Sequence, residues 1–149
     1  MGDRSEYLRE AVSHISNETG QIILKSSLYE SEPWGKTDQP GYLNQALMIH
    51  TILSPQALLL KINGIEKKMG RLRKIKWDKR IIDIDILFYN DLILKSESLT
   101  IPHPYIHDRR FTLLPLSEIA PELNHPKFQK NIKTLLWDCE DKLRVYTIG

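Results

Sequence analysis

The most regular alternation of apolar and acidic residues in the chain lies at 82–88, where isoleucines occupy every second position around Asp83 and Asp85. A period of two predicts a half-buried strand, and residues two apart on a strand share one face. Both carboxylates would therefore project in the same direction, roughly 7 Å apart at the backbone. Carboxylates placed in this way repel each other unless a cation lies between them.

The hydrophobic pattern predicts further elements on both sides of this segment. Apolar residues at helical spacing indicate helices, and shorter β-rich runs bounded by turn residues indicate strands. The predicted elements are, in order, a helix that includes Tyr7 to Ile15, strands at 21–29 and 42–53, a helix capped by Ser54 and Pro55 that closes at Gly70, the strand at 82–88, a short strand at 92–94, extended chain at 99–104, an irregular stretch at 117–126, and a helix at 131–139 that packs Leu135, Leu136 and Trp137.

The order helix, strand, strand, helix, strand indicates an α+β fold. With one more strand in front it becomes β-α-β-β-α-β, the ferredoxin-like split βαβ arrangement, an antiparallel sheet with helices on one face. The sequence thus predicts this fold with its N-terminal strand absent. A length of 149 residues predicts a single domain over 1–149.

Composition narrows the class of protein. Hydrophobic residues make up 41% and charged residues 27%, as in ordinary globular chains. Cys139 is the only cysteine, so no internal disulfide can form, and a reducing cytoplasm is expected. No apolar run has the length of a membrane helix, and no signal peptide is present, so no membrane association is expected.

The net charge of +2 conceals a basic stretch at 67–80, in which eight lysines and arginines accompany one acid, Asp78. Such a stretch is either a solvated face or a site for phosphate or nucleic acid. Mg²⁺ is a natural ligand for Asp83 and Asp85, because proteins usually hold it with one or two carboxylates plus substrate phosphates. From the pattern alone, however, both aspartates could equally solvate the outer face of an edge strand.

Four ordered stretches together resemble the 6-hydroxymethyl-7,8-dihydropterin pyrophosphokinase family. The segment 80–86, Arg-Ile-Ile-Asp-Ile-Asp-Ile, is similar to the family signature. Pro33-Trp34-Gly35 with 38–44 is similar to its pterin loop, and Glu66 with 70–73 to the end of its nucleotide-side helix. The fourth stretch, 101–121, is similar to its C-terminal block.

This resemblance implies transfer of pyrophosphate from ATP to the hydroxymethyl group of the dihydropterin, with release of AMP, in folate biosynthesis. It implies that Asp83 and Asp85 bind two Mg²⁺ ions, and that Arg80 and Arg109 act with them in catalysis. The implied ATP-binding residues are Glu66, Arg73, Lys76, Arg80, Ile86, Thr100, His103 and Arg109. The implied pterin-binding residues are Ser31, Trp34, Tyr42, Asn44, Trp77 and Phe111. Partners would be small molecules only, and the protein a monomer that binds no nucleic acid.

Three departures from the family pattern stand out. Asp78-Lys79 replaces the usual small residues before Arg80, and Lys76 stands where arginine is common, which removes bidentate capacity. Family members also open with an apolar strand that ends in Gly-Ser-Asn, whereas this sequence begins at the following Gly-Asp-Arg. Either the recorded start is an internal methionine, or this form lacks a strand, in which case we expect it to be poorly soluble or weakly active when expressed alone.

Alternative functions remain open at this stage. A metal-dependent nuclease or nucleotidyl transferase would use the same aspartates, and an inactive truncated copy would use none of them. A ferredoxin-like RNA-binding module would explain the basic stretch, but its strands should expose aromatic residues. None of the seven glycines forms a Walker loop or a Gly-x-Gly-x-x-Gly motif.

Overall fold

The computed structural model describes residues 4–32, 41–73 and 82–148. Within these ranges the elements are, in chain order, α1 (Arg4–Glu18), β1 (Gln21–Lys25), β2 (Leu28–Ser31), β3 (Tyr42–Asn44), β4 (Leu47–His50), α2 (Pro55–Arg73), β5 (Leu94–Lys95), β6 (Thr100–Ile101), a 3-10 helix (Ile106–Asp108), α3 (Arg110–Ile119), β7 (Asn124–His125), β8 (Lys130–Asn131), α4 (Ile132–Asp138) and β9 (Val145–Ile148). The coarse prediction of an α+β protein is confirmed.

The chain forms two compact units. The first comprises Met1–Ile22 with Ile49–Ile86, and the second comprises Ile23–Met48 with Leu87–Gly149. In the first unit α1 packs against α2, and their apolar faces form its interior. The buried apolar residues of these two helices are Ala11, Ile15, Leu58, Ile62, Ile65 and Met69.

The predicted start of α2 is confirmed. The Ala57 N–H donates to the Ser54 hydroxyl at 3.2 Å, as expected of an N-cap followed by Pro55. The predicted end at Gly70 is wrong, because the helix continues to Arg73. Glycine in a helix interior costs only about 1 kcal/mol, and burial of the preceding apolar face outweighs that cost.

The segment 82–88 does not form the predicted strand. Its alternation survives, since Asp83 and Asp85 are exposed and Ile86 is buried. The Ile84 N–H, which a neighbouring strand would have paired, donates to a Glu66 carboxylate oxygen at 2.7 Å. The periodicity therefore predicted the two faces correctly but not the hydrogen-bond partner.

Each of the two long predicted strands is divided in two. The interruption lies at Ser26 and Ala46: the Ser26 N–H donates to the Ala46 carbonyl at 2.9 Å, but the Ala46 N–H donates to the Ser26 hydroxyl, also at 2.9 Å. A side chain thus replaces one backbone acceptor. Beyond the break, β1 pairs with β4 on one side, and β2 pairs with β3 on the other.

In the second unit β2 lies at the centre of a three-stranded antiparallel sheet, with β3 and β9 as its neighbours. Strand β9 was not predicted from the sequence. The helices α3 and α4 pack together, and α3 also packs against β2 and β3. The buried core of this unit consists of Ala46, Ile106, Leu113, Leu116, Ile132 and Leu135.

Two predictions for the C-terminal part are wrong. The stretch at 117–126 is not irregular throughout, because α3 continues to Ile119 and β7 pairs with β8. Burial of Leu116 holds this turn in a helix although Pro115 precedes it. Trp137 does not pack in α4, since 89% of it is exposed. In this helix of seven residues Ile132 and Leu135 share the buried face, and Trp137 lies on the opposite one.

Candidate functional site

The first unit contains the two aspartates that are predicted to bind the metal. Asp83 and Asp85 are both exposed, and Ile84 between them is half-buried. Glu66 lies on α2 beside the buried Ile65, and its carboxylate accepts the Ile84 N–H at 2.7 Å. A short bond from a backbone N–H to a charged acceptor is among the stronger hydrogen bonds in proteins. It therefore fixes the backbone between the two aspartates to α2.

The donor set of this segment fits Mg²⁺. Two exposed carboxylates supply hard oxygen ligands, and Mg²⁺ usually takes the rest of its octahedral shell from water and phosphate. In the part of the chain that the structure describes, no group of three or more His, Cys, Asp or Glu residues forms a complete protein cage for a metal.

The second unit contains a group of aromatic side chains in contact with Arg109 or with one another. The guanidinium carbon of Arg109 lies 5.0 Å from the ring centroid of Tyr105 and 5.6 Å from that of Phe111. The Tyr105 ring also meets the His103 ring edge to face, with centroids 5.9 Å apart. The structure therefore brings together the predicted residues His103, Arg109 and Phe111, and adds Tyr105, which the sequence analysis missed.

The backbone that carries Arg109 is held by the core on both sides. Ile106, three residues before it, and Leu113, four residues after it, have no exposed surface. The Leu113 N–H donates to the Arg109 carbonyl at 3.0 Å and begins α3. The next residue, Arg110, donates its N–H to Asp141 at 3.0 Å. Arg109 thus sits at a fixed helix start while its side chain remains half-exposed.

The predicted pterin-side residues on β2 and β3 lie in the central sheet of this unit. Tyr42 is 60% exposed, whereas Ser31, its partner across the strand pair, is 1% exposed. Asn44 is two positions from Tyr42 and so lies on the same face of β3. Because Ser31 is enclosed, we expect Tyr42 and Asn44 to present the accessible groups.

A carboxylate near the C-terminal end of α3 connects this helix by hydrogen bonds to β2 and to the residue before it. Glu118 accepts the Tyr29 hydroxyl at 2.7 Å and the Ser27 N–H at 3.0 and 3.1 Å. The tyrosine hydrogen bond is the main reason that the pKa of Glu118 lies below its usual value. Burial, and then this carboxylate, raise the pKa of Tyr29 to about 12. These contacts fix α3, which carries Phe111, relative to β2.

Two further predicted nucleotide-side residues are described. Thr100 is half-buried in β6, where it pairs with Lys95. Ile86 is buried at the end of the aspartate segment. Several predictions lie outside the described residues, namely those for Trp34, Lys76, Trp77, Asp78, Lys79, Arg80 and the side chain of Arg73.

A model of the 7,8-dihydro-6-hydroxymethylpterin-pyrophosphokinase (HPPK) family matches residues 1–121. The chain belongs to this family. All four stretches that carried the resemblance fall within that match, so the resemblance is confirmed, whereas the roles of single residues stay predictions.

Similar curated proteins agree with the HPPK assignment. The chain is 42% identical over 133 residues to the 2-amino-4-hydroxy-6-hydroxymethyldihydropteridine pyrophosphokinase of Aquifex aeolicus. This match covers 89% of this chain and 82% of that protein. It is 43% identical over 120 residues to the protein of the same name from Haemophilus influenzae, covering 80% and 74%. A match at 42% over 127 residues to the folic acid synthesis protein fol1 of Schizosaccharomyces pombe covers 85% of this chain and 17% of that longer protein.

Tyr105 could have been noticed in the HPPK sequence by its spacing. An aromatic residue four positions before an arginine, in a segment that turns into a helix, can reach that arginine's side chain.

No helix in the described ranges is long and apolar enough to cross a membrane.

Proposed function

We propose that this chain transfers pyrophosphate from ATP to the hydroxymethyl group of 6-hydroxymethyl-7,8-dihydropterin and releases AMP, as a step of folate biosynthesis. The observation that carries the proposal is the 42% identity to the Aquifex aeolicus pyrophosphokinase over 89% of the chain. The exposed pair of aspartates and the stacked Arg109 support it, because transfer of phosphoryl groups depends on charge neutralisation and positioning.

For the metal we propose two Mg²⁺ ions held by Asp83 and Asp85. Such ions, when bound, neutralise phosphate oxygens and orient the attacking hydroxyl. The hydrogen bond from Ile84 to Glu66 supports the proposal, because it gives both carboxylates a fixed backbone before any ligand arrives. With Arg80 and Arg109, these aspartates form the proposed catalytic set.

The ATP and pterin sites follow the family pattern. For ATP we propose Glu66, Arg73, Lys76, Arg80, Ile86, Thr100, His103 and Arg109. For the pterin we propose Ser31, Trp34, Tyr42, Asn44, Trp77 and Phe111. A flat heterocycle requires aromatic faces and an amide. The exposed Tyr42 and the half-exposed Phe111 supply the faces, and Asn44 supplies the amide.

We also propose the ferredoxin-like arrangement for the whole domain. The order α1, β1–β2, β3–β4 and α2 is the order that this fold requires between its first and last strands. We further propose a cytoplasmic location, since Cys139 is the only cysteine. A monomer that acts on small molecules is proposed from the family resemblance.

The proposal is tested by following AMP formation from ATP, Mg²⁺ and hydroxymethyldihydropterin. Asp83→Asn and Asp85→Asn should each lower the rate at least about 100-fold, because each removes a charged ligand from the metal. Asp91→Asn is the matched control, since Asp91 is also exposed but is outside the proposed site. Circular dichroism checks that each variant is folded.

Two outcomes would contradict this function. Folded aspartate variants with wild-type rates would remove the metal assignment. A wild-type protein that hydrolyses RNA or transfers a nucleotide, and makes no AMP in the presence of the pterin, would favour the nuclease or nucleotidyl transferase alternative instead.

A further inference from the structure

Tyr105 occupies an unusual place for a large aromatic residue. It is 52% exposed, so it contributes little to the core, yet its ring contacts two residues of the proposed ATP site. Arg109 lies over its face at 5.0 Å, and the His103 ring meets it at 5.9 Å. No other residue in the described ranges has ring contacts to both of these side chains.

The position of this ring is set by the backbone. The Tyr105 N–H donates to His103 Nδ1 at 3.2 Å, and the Tyr105 carbonyl accepts the Asp108 N–H at 3.2 Å. The next residue, Ile106, is fully buried and anchors the 3-10 helix to the core. The backbone of Tyr105 is therefore held on both sides of its Cα atom, although the ring itself is half-exposed.

We propose that Tyr105 is a positioning residue for the pyrophosphate transfer, which holds the Arg109 guanidinium and the His103 ring in place for the triphosphate of ATP. The inference rests on the proposed function. The N–H groups of a guanidinium lie in its own plane, so a contact that it makes with an aromatic ring through its flat face does not use them. Those groups stay available for bidentate contacts with phosphate oxygens.

The second aromatic contact of Arg109 makes this geometry more restrictive. Phe111 lies 5.6 Å from the guanidinium carbon, so two rings limit the orientations that the arginine can adopt. Phe111 belongs to the proposed pterin site, whereas in the part of the chain that the structure describes the ring contacts of Tyr105 are to the proposed ATP-side residues His103 and Arg109. Loss of Tyr105 should therefore affect the nucleotide and leave the pterin unaffected.

The experiment compares Tyr105→Leu and Tyr105→Phe by calorimetric titration with a non-hydrolysable ATP analogue and, separately, with the pterin. Tyr105→Leu should weaken binding of the analogue about three- to ten-fold, the range expected for a partly exposed cation–π contact. Tyr105→Phe, which keeps the ring face, should bind within about two-fold of wild type. Pterin affinity should be unchanged in both variants.

A matched control exists in the same unit. The Arg144 guanidinium carbon lies 5.1 Å from the Tyr146 ring centroid, and Tyr146 is 40% exposed. This pair is outside the proposed site, so Tyr146→Leu should leave both affinities and the rate of AMP formation unchanged. A general effect of losing a surface arginine–tyrosine pair would appear in this variant as well.

A double variant shows whether Tyr105 acts through Arg109. In an Arg109→Ala background, Tyr105→Leu should cause less than about two-fold further loss of analogue affinity, because the group that it positions is already gone. A thermal melt of each variant accompanies the titrations. If Tyr105→Leu unfolds, the comparison of Tyr105→Phe with Tyr105→His decides the question, with His expected to bind the analogue more weakly.

The inference is overturned if Tyr105→Leu binds the analogue like wild type, if Tyr105→Phe is as weak as Tyr105→Leu, or if pterin affinity falls equally. These results differ from failure of the proposed function, in which the wild-type protein itself makes no AMP. In that case both proposals fall together.

Discussion

The hydrogen bond between Glu66 and Ile84 gives the sharpest test of how the aspartate segment is held. It is short, at 2.7 Å, and its acceptor is a carboxylate. Hydrogen bonds to charged groups contribute about 1.5–3 kcal/mol, and the partly buried position here favours the lower end. Replacing Glu66 with alanine also leaves the Ile84 N–H without this acceptor.

We expect Glu66→Ala to lower the free energy of unfolding by about 1.5 kcal/mol and to release the backbone between both aspartates. Holding this segment in place without the bond costs about the same free energy, so at about 1.4 kcal/mol per factor of ten the rate of AMP formation should fall roughly ten-fold. The Mg²⁺ concentration for half-maximal rate should rise. Glu66→Gln keeps a neutral acceptor and should lie between alanine and wild type.

The assay is AMP formation over a series of Mg²⁺ concentrations, together with urea unfolding. Glu18→Gln is the matched control, because Glu18 also bonds to α2, through Lys68 Nζ at 3.1 Å, and lies in the same unit. It should change stability slightly and leave the Mg²⁺ dependence unchanged. Wild-type Mg²⁺ dependence in Glu66→Ala would refute the reasoning. If Glu66→Gln forms AMP as slowly as Glu66→Ala, the charge of Glu66 matters rather than its hydrogen bond to the Ile84 N–H.

Two other sites yield predictions about stability. The Tyr29 hydroxyl holds the pKa of Glu118 below its ordinary value of 4.5, so the carboxylate stabilises the fold above pH 4.5 and loses that contribution as the pH falls through its lower folded pKa. Urea unfolding should thus show Glu118→Gln about 1 kcal/mol less stable than wild type at pH 7 and similar to it in acid; an equal gap at both would contradict this. Gly41→Ala should cost about 1–3 kcal/mol in a thermal melt, because its Cβ would collide with the Ser31 carbonyl oxygen. Gly64→Ala, whose added Cβ would meet no described atom within 4 Å beyond the neighbouring backbone of its own helix, should instead stabilise α2 by about 1 kcal/mol; the opposite ranking of the two variants would contradict this.

Local signals predicted three of the four α-helices in the described ranges, namely α1, α2 and α4, but not α3. Ser54 and Pro55 gave the start of α2, and Asn131 caps α4 through its side chain, which accepts the Thr134 N–H at 2.8 Å. Such capping depends on a few neighbouring residues, so it is visible in the sequence. The exposure of Asp83 and Asp85 was equally visible, because it follows from alternation alone.

Pairing between distant residues was not visible. The break at Ser26 depends on a hydroxyl that meets Ala46 across the strand pair, and β9 depends on its partner β2, more than a hundred residues earlier. Contacts within the candidate site were likewise not visible in the sequence. Arg109 and His103 were named from motifs, whereas Tyr105 has significance only because its ring lies between them.

The contacts of Glu118 have a consequence for residues at the other end of α3. At a rise of about 1.5 Å per residue, the nine positions back to Arg109 span roughly 13 Å. A tilt of the helix axis by about 5° at the Glu118 end would therefore move the Arg109 end by about 1 Å. Displacements of that size at a catalytic group can reduce rates by about 100-fold. A substitution of Ser27 or Tyr29 that tilts α3 by this angle would thus lower the rate of a protein whose binding residues are all intact.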